Sequence, residues 1–208
     1  MNADILYTFV VATAILSISP GPDNIYVLMQ SIVYGKKYGL ATIAGLMSGC
    51  VIHTTLVAFG ISAIIKQSEL LFFLIKLIGA FYLFFLAYKV WKSNASIQLS
   101  ETTIVKKSIW QLYKQGFMMN VLNPKVSIFF LAFLPGFLFS TTINSVVQFY
   151  VLGLLFILVS FIVFSLIALL AGAISDYVKK NSGIGVFLKY LQIIVFIGIG
   201  IFILLSEK

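Results

Sequence analysis

Ser19-Pro20-Gly21-Pro22-Asp23-Asn24 interrupts an apolar run that otherwise extends from Ile5 to Val33. Each proline lacks a backbone donor and clashes with the carbonyl one turn back, and Gly21 between them adds backbone freedom, so a helix must break or unwind here. Inside a bilayer no water satisfies the freed carbonyls, and a broken span is tolerated only where it is buried in protein or lines a polar cavity. The hexapeptide therefore marks a candidate site as well as a kink.

The surroundings make the bilayer reading firm. Of 208 residues 61% are hydrophobic and 10% charged, and the mean hydropathy is +1.10, far outside the range of soluble domains. Six runs are long enough to cross a hydrocarbon core of about 30 Å as helix. They extend from Ile5 to Val33, Leu40 to Ile65, Leu70 to Val90, Gly116 to Leu138, Val146 to Ile174 and Val186 to Leu205. Barrel strands would alternate every second residue, and these runs are apolar all round. Ile5 to Ile18 has the length of a signal sequence core, but the N-terminus shows no basic leader or small-residue cleavage site, and the first run is read as a retained span.

The formal charge of +8 comes from 14 lysines without an arginine. Lys36, Lys37, Lys89, Lys92, Lys106, Lys107, Lys114, Lys179, Lys180 and Lys189 all fall beside span ends of one side. By the positive-inside rule that side is cytoplasmic and both termini lie outside. This placement suits topology and contact with the lipid bilayer, not nucleic acid. Cys50 is the sole cysteine, which excludes an intrachain disulfide, and no metal-ligand or cofactor motif is present. In the long third connection, Ile104 to Tyr113 places Val105, Ile109 and Leu112 on one face; it reads equally as a helix on the cytoplasmic surface or as an ordinary connector.

Span four carries its own interruption at Asn123-Pro124-Lys125. This break lies about eight residues from the cytoplasmic end of its span and Pro22 about eleven, which are similar depths. The expected fold is thus all-α integral membrane, with six transmembrane helices as two inverted three-helix repeats and helices 1 and 4 broken at proline motifs. One transporter domain fills 1–208, with repeat one at about 1–92, a connector at about 93–113 and repeat two at about 114–208. Paired breaks in inverted halves point to a midplane binding site. Freed amides attract anions and freed carbonyls attract cations, so the site suits a zwitterion. The expected substrate-binding residues are Pro20, Gly21, Pro22, Asp23, Asn24, Asn123, Pro124 and Lys125. Asp23 and Asn123 also read as simple caps of the helices that restart after the kinks.

Two further polar residues lie within spans. His53 shares a face with Ala41, Gly45 and Gly49 and so points into the bundle, either as a proton carrier or as a neutral hydrogen bond between helices. Lys76 sits about two turns inside span three, either snorkelling to headgroups or facing inward to pair with Asp23. Asp23, His53 and Lys76 are the expected coupling residues.

These residues also carry a resemblance. Ser19-Pro20-Gly21-Pro22-Asp23, Gly35-Lys36-Lys37-x-Gly39-Leu40, Gly45-x-x-x-Gly49-x-x-x-His53, Lys76-x-x-Gly79-Ala80-x-Tyr82-Leu83, and Asn120-x-x-Asn123-Pro124-Lys125 with Phe129-Phe130 and Phe133-x-Pro135 resemble the LysE-type amino-acid exporters. The resemblance covers nearly the whole chain. It implies a multi-pass exporter of amino acids or their derivatives in the bacterial plasma membrane, working by proton antiport with alternating access. Where some relatives carry an acidic residue in span five, this chain has Ser160 and Ser165. Neutral amino acids are favoured over lysine, because Asp23 is the only mid-span carboxylate. A homo-oligomer is compatible with the sequence. The competing classes are a channel or metal-ion exporter of the same architecture, and an intramembrane enzyme. The enzyme reading lacks any H-E-x-x-H, paired aspartates or serine with a histidine partner. The chain is read as having no catalytic residues.

Overall fold

The computed structural model describes residues 3–19, 21–93, 107–180 and 183–205, without the side chains of residues 66, 124, 125 and 178–180. All regular structure among them is helical: α1 (Ala3–Ile18), α2 (Pro22–Tyr34), α3 (Lys36–Gln67), α4 (Glu69–Lys92), α5 (Ile109–Val121), α6 (Pro124–Phe133), a 3₁₀ turn (Leu134–Phe137), α7 (Ser145–Leu169), α8 (Ala171–Lys180) and α9 (Gly183–Leu205). Helices α3, α4, α7 and α9 are each long and apolar enough to cross a membrane. The pair α1/α2 bends by 60° at its break, and Ile109–Val121 bends by 54° against Val126–Phe137. With each bent pair counted as one span, the chain is an all-α membrane protein of six spans.

Local chemistry explains the boundaries. Pro22 occupies the first turn of α2, where its missing N–H costs nothing, and Pro124 opens α6 in the same way. A single residue, Gly35, joins α2 to α3 at φ 94°, a left-handed conformation that favours glycine. Ser68 caps α4 by accepting from Leu71 N, and Asn144 caps α7 by accepting from Val146 N.

Two boundaries differ from the sequence expectation. Span four begins at Ile109 rather than Gly116, because Ser108 and Gln111 form a reciprocal capping box and nothing breaks the helix before Val121. Ile109 to Tyr113 is therefore the first turn of α5 and not a separate surface helix; Val105 and residues 104–106 lie outside the described residues. The polar side chains of Lys107, Gln111, Lys114 and Gln115 had hidden this turn from a hydropathy reading. The consequence is that α2 and α5 are both 13 residues long. The two breaks thus lie at equal distances, about 20 Å, from the lysine-rich end. In span five, α7 stops at Leu169 and the chain turns at Leu170 into α8 instead of running straight to Ile174.

The spans alternate in direction. Lys189 Nζ, near the start of α9, donates to Ser93 O at the end of α4 at 2.7 Å, bringing two lysine-rich span ends together. Helix α3 forms the centre, running along α5 and α7. A Cβ at Gly45 would collide with Tyr113 O, one at Gly116 with Thr42 O, and one at Gly153 with the Thr54 side chain. Small residues let these backbones approach, and dispersion between them replaces the hydrophobic force that lipid cannot supply. Towards the N-terminal end the core becomes a phenylalanine layer in which Phe133 lies 5.2 Å from Phe9, 4.4 Å from Phe129 and 4.5 Å from Phe137.

The packing sets a test. Gly45→Val forces α3 from α5 and should destabilise the protein by about 1–3 kcal/mol, the usual range for overpacking. Gly60, where an added Cβ meets nothing within 4 Å, should tolerate Ala with a gain of up to about 1 kcal/mol in helix propensity. Apparent melting temperatures in detergent measure both, and equal melting of Gly45→Val and the wild type would contradict the close approach.

Candidate functional site

The breaks of spans one and four meet at one cavity of about 90 Å³, enough for several waters or one small solute. Gly21, Pro22, Asp23 and Asn24 reach its wall from the first break and Asn123 from the second. Pro20 lies outside the described residues, as do the side chains of Pro124 and Lys125. Five of the eight expected binding residues are therefore seen to share one wall. Among the described side chains, Asp23 is the only charged one on it.

The freed carbonyls at each break find donors. Asn24 Nδ2 donates to Ser17 O, in the last turn of α1, at 2.7 Å. His53 Nε2 lies 3.1 Å from Asn120 O, in the last turn of α5. A carbonyl only accepts, so Nε2 carries the hydrogen. Ser17 Oγ and Ser160 Oγ pair at 2.9 Å and join the first break to α7. Asn120 Nδ2 donates to Cys50 Sγ at 3.5 Å. On the donor side, α2 begins at Gly21 without a side-chain cap, so its first amides point toward the cavity with the positive end of the helix dipole. Asp23 sits in that first turn, where a carboxylate is favoured.

Sequence reasoning left out much of the wall. Ser17 and Ser160 are polar residues inside apolar runs, and that contrast was the available signal. Met47 and Cys50 come from α3 one turn before His53, while Phe129, Phe156, Phe164 and Phe196 make most of the remainder apolar. Asn120 Oδ1 and Ser19 Oγ are buried and have no hydrogen-bond partner among the described residues. Both residues line the cavity, so a solute there would find an acceptor and a hydroxyl. Among the described residues no group of three or more His, Cys, Asp or Glu is placed to hold a metal ion.

This architecture, two proline breaks facing each other around one carboxylate among the described residues, coincides with a match over residues 14–207 to the family model described as LysE type translocator. The chain belongs to that family. It is 32% identical over 173 residues to a homoserine/homoserine lactone efflux protein of Salmonella typhimurium, covering 83% of each chain. It is 26% identical over 182 residues to a leucine efflux protein of Salmonella choleraesuis, covering 86% of each. No solved structure matches it.

In this LysE type translocator the three expected coupling residues do not gather. Asp23 is on the cavity wall. His53 is 4% exposed and off the wall, with its ring 5.6 Å from Phe130; it points into the bundle, as its small-residue face implied. Lys76 is also turned inward, 8% exposed on the buried face of α4. It lies ten residues before Leu86, the α4 residue on the cavity wall, hence about 15 Å away along the helix. The structure thus does not bring Lys76 to Asp23.

The carbonyl bonds predict paired effects. Asn24→Leu leaves Ser17 O without its side-chain donor, at a cost of about 1–3 kcal/mol, and His53→Leu removes one of the two donors to Asn120 O, the other being Asn123 N, at a cost nearer 1 kcal/mol. His53→Gln retains an N–H donor and should recover most of the loss. Thermal unfolding in detergent reads the three variants, and a His53→Leu protein as stable as His53→Gln would mean that the bond contributes nothing.

Proposed function

We propose that this chain exports amino acids or close derivatives with neutral side chains across the bacterial plasma membrane. The observation that carries this reading is the cavity at the meeting of the two breaks, whose described wall has one carboxylate and is otherwise apolar or uncharged polar. The solute's ammonium rests on Asp23. Its carboxylate faces the first amides of α2 together with Ser19 and Asn123, and its side chain lies against Phe156, Phe164 and Phe196. The efflux activities for which the two Salmonella relatives are named support the direction and the substrate class. The lysine-rich span ends support a cytoplasmic placement of that end, with both termini outside.

Transport is by alternating access, the two broken spans rocking as inverted repeats about the fixed site. Coupling is by proton antiport, with Asp23 exchanging the solute's ammonium for a proton. A carboxylate that holds either the proton or the solute's ammonium, and not both at once, meets the requirement for exchange. His53 holds the second break to α3, and its hydrogen bond to Asn120 O supports that role over a proton-carrying one.

Vesicles containing the purified protein and labelled L-homoserine or L-leucine should release the amino acid when a pH step is imposed. Asp23→Asn should slow release by about 100-fold, the equivalent of roughly 3 kcal/mol for a buried ion deprived of its partner. Release that ignores the pH step, or survives Asp23→Asn, counts against coupling through this carboxylate.

A further inference from the structure

Gln30 of α2 is 1% exposed, and neither its Oε1 nor its Nε2 makes a hydrogen bond among the described residues. A buried primary amide is ordinarily satisfied. Gln148, 2% exposed, shows the ordinary case: its Oε1 accepts from Phe139 N and Ser140 N at 2.8 and 2.9 Å, and its Nε2 donates to Ser140 O and Ile143 O at 2.8 and 2.7 Å. Tyr26 Oη, one turn before Gln30, is also buried and without a hydrogen bond among the described residues. The two side chains are near enough to interact, but a bond between them would still leave at least one amide hydrogen without an acceptor. Ser31, the next residue, is buried and satisfied, its Oγ donating to Val27 O at 2.8 Å. Helix α2 is thus able to satisfy a buried polar group locally and does not do so at Gln30.

Position supplies the reason. Gln30 follows Asp23 by seven residues, two helical turns, and so lies on the same face of α2 about 10 Å nearer the lysine-rich end. Asp23 is on the wall of the central cavity. Between the two levels, Val27 joins Ile43, Leu46 and Met47 of α3 and Phe164 and Ala168 of α7 in one buried apolar cluster. Leu46, Met47 and Phe164 also line the cavity, while Val27, Ile43 and Ala168 lie farther along their helices toward the lysine-rich end. The cluster therefore closes that end of the cavity, and Gln30 lies beyond it. The closure is tight, since a Cβ at Gly39 of α3 would strike Ser31 Oγ and come within 3.2 Å of the Ala168 side chain. A solute moving along α2 from the lysine-rich end must part this cluster, and it meets Gln30 and Tyr26 before Asp23. An unbonded amide destabilises the closed arrangement, so it favours the parting.

We propose that Gln30 is a second solute-binding residue, which receives an α-amino acid on the lysine-rich side when the Val27–Phe164 cluster parts, before the solute reaches Asp23. The order of the two contacts rests on the export reading. A carboxamide donates from Nε2 to the α-carboxylate and accepts at Oε1 from the α-ammonium, so it holds a zwitterion without adding a charge. It reads groups common to α-amino acids and is indifferent to the side chain, whose selection belongs to the central cavity. The bond between the ammonium and a carboxylate is stronger than that to a neutral amide, and the solute passes from Gln30 to Asp23 downhill.

Everted membrane vesicles, made acidic inside, present labelled L-leucine or L-homoserine to the lysine-rich face under the export reading, and their uptake tests the assignment. Gln30→Met keeps the length of the side chain and removes the amide. It should raise KM about tenfold or more for both amino acids, with the maximal rate within about threefold of wild type. The same variant should melt no lower than wild type in detergent, because it takes an unbonded amide out of an apolar setting. Gln30→Asn, which keeps a carboxamide one methylene shorter, should have a KM between the two. A wild-type KM in Gln30→Met overturns the proposal, as does a change for only one of the amino acids. Lower melting with a reduced rate at unchanged KM makes Gln30 a packing residue and overturns it as well. If Gln30→Met does not fold, Gln30→Asn carries the comparison by the same split between KM and rate. Failure of the export reading appears separately, as wild-type vesicles that take up neither amino acid, and would remove this proposal with it.

Discussion

A peptide carbonyl released from its helix inside hydrocarbon must find a donor from the protein, since lipid offers none. Two proline motifs create this demand twice in one bundle, and the two solutions differ. At the first break the donor is Asn24, a residue of the same span seven positions beyond Ser17. At the second it is His53, on a different span. Break one is therefore satisfied from within, tied to its surroundings through the Ser17–Ser160 hydroxyl pair. Break two is fastened to α3. If one repeat moves against the other, α1 and α2 give up the Ser17–Ser160 hydrogen bond, whereas α5 and α6 travel with α3 or lose the His53 bond to Asn120 O.

The same partition appears in the packing. Helices α3 and α5 meet backbone to backbone at Gly45 and Gly116, and Gly49 leaves the space that Asn120 occupies. Such contacts depend on distance to within a few tenths of an ångström, because dispersion decays steeply. They are poorly suited to sliding. Helix α4 meets α6 as closely, at Gly79 and Ala132, and reaches the wall of the central cavity through Leu86.

Punctuation made this fold legible. Proline and glycine at 20–22 and proline at 124 act through local covalent constraints, which hold whatever the tertiary structure, and so the breaks and the six-span plan could be read directly. The small-residue spacing from Ala41 to His53 likewise carried its own geometric meaning, and the buried position of His53 followed. What escaped were features in which polarity and position disagree. Ser108 and Gln111 formed a legible capping box, but the lysines and glutamines around them lowered the hydropathy and drew the span boundary seven residues too late. Gln148 looked like an ordinary polar residue near a span end, yet it organises a whole connection. For Lys76 the sequence left two directions open and its partner to conjecture; the partner offered by charge alone, Asp23, lies too far along the bundle. Residues that converge from distant segments, such as Phe129, Phe164 and Phe196, leave no local signal at all.

The charge inventory of the central cavity bears on selectivity. Among the described residues its wall holds a single carboxylate, and under the proposed export that carboxylate is used by the α-ammonium. A lysine side chain would bring a second ammonium with no described counter-charge, and an unpaired ion at mid-membrane depth costs several kcal/mol. A side-chain carboxylate would be repelled by Asp23 itself. Hydroxyl groups could find Ser19 or Asn120, and apolar groups the phenylalanine wall, each at little cost. A small uncharged side chain, polar or not, is what this balance of terms admits, and the volume of about 90 Å³ limits its size independently.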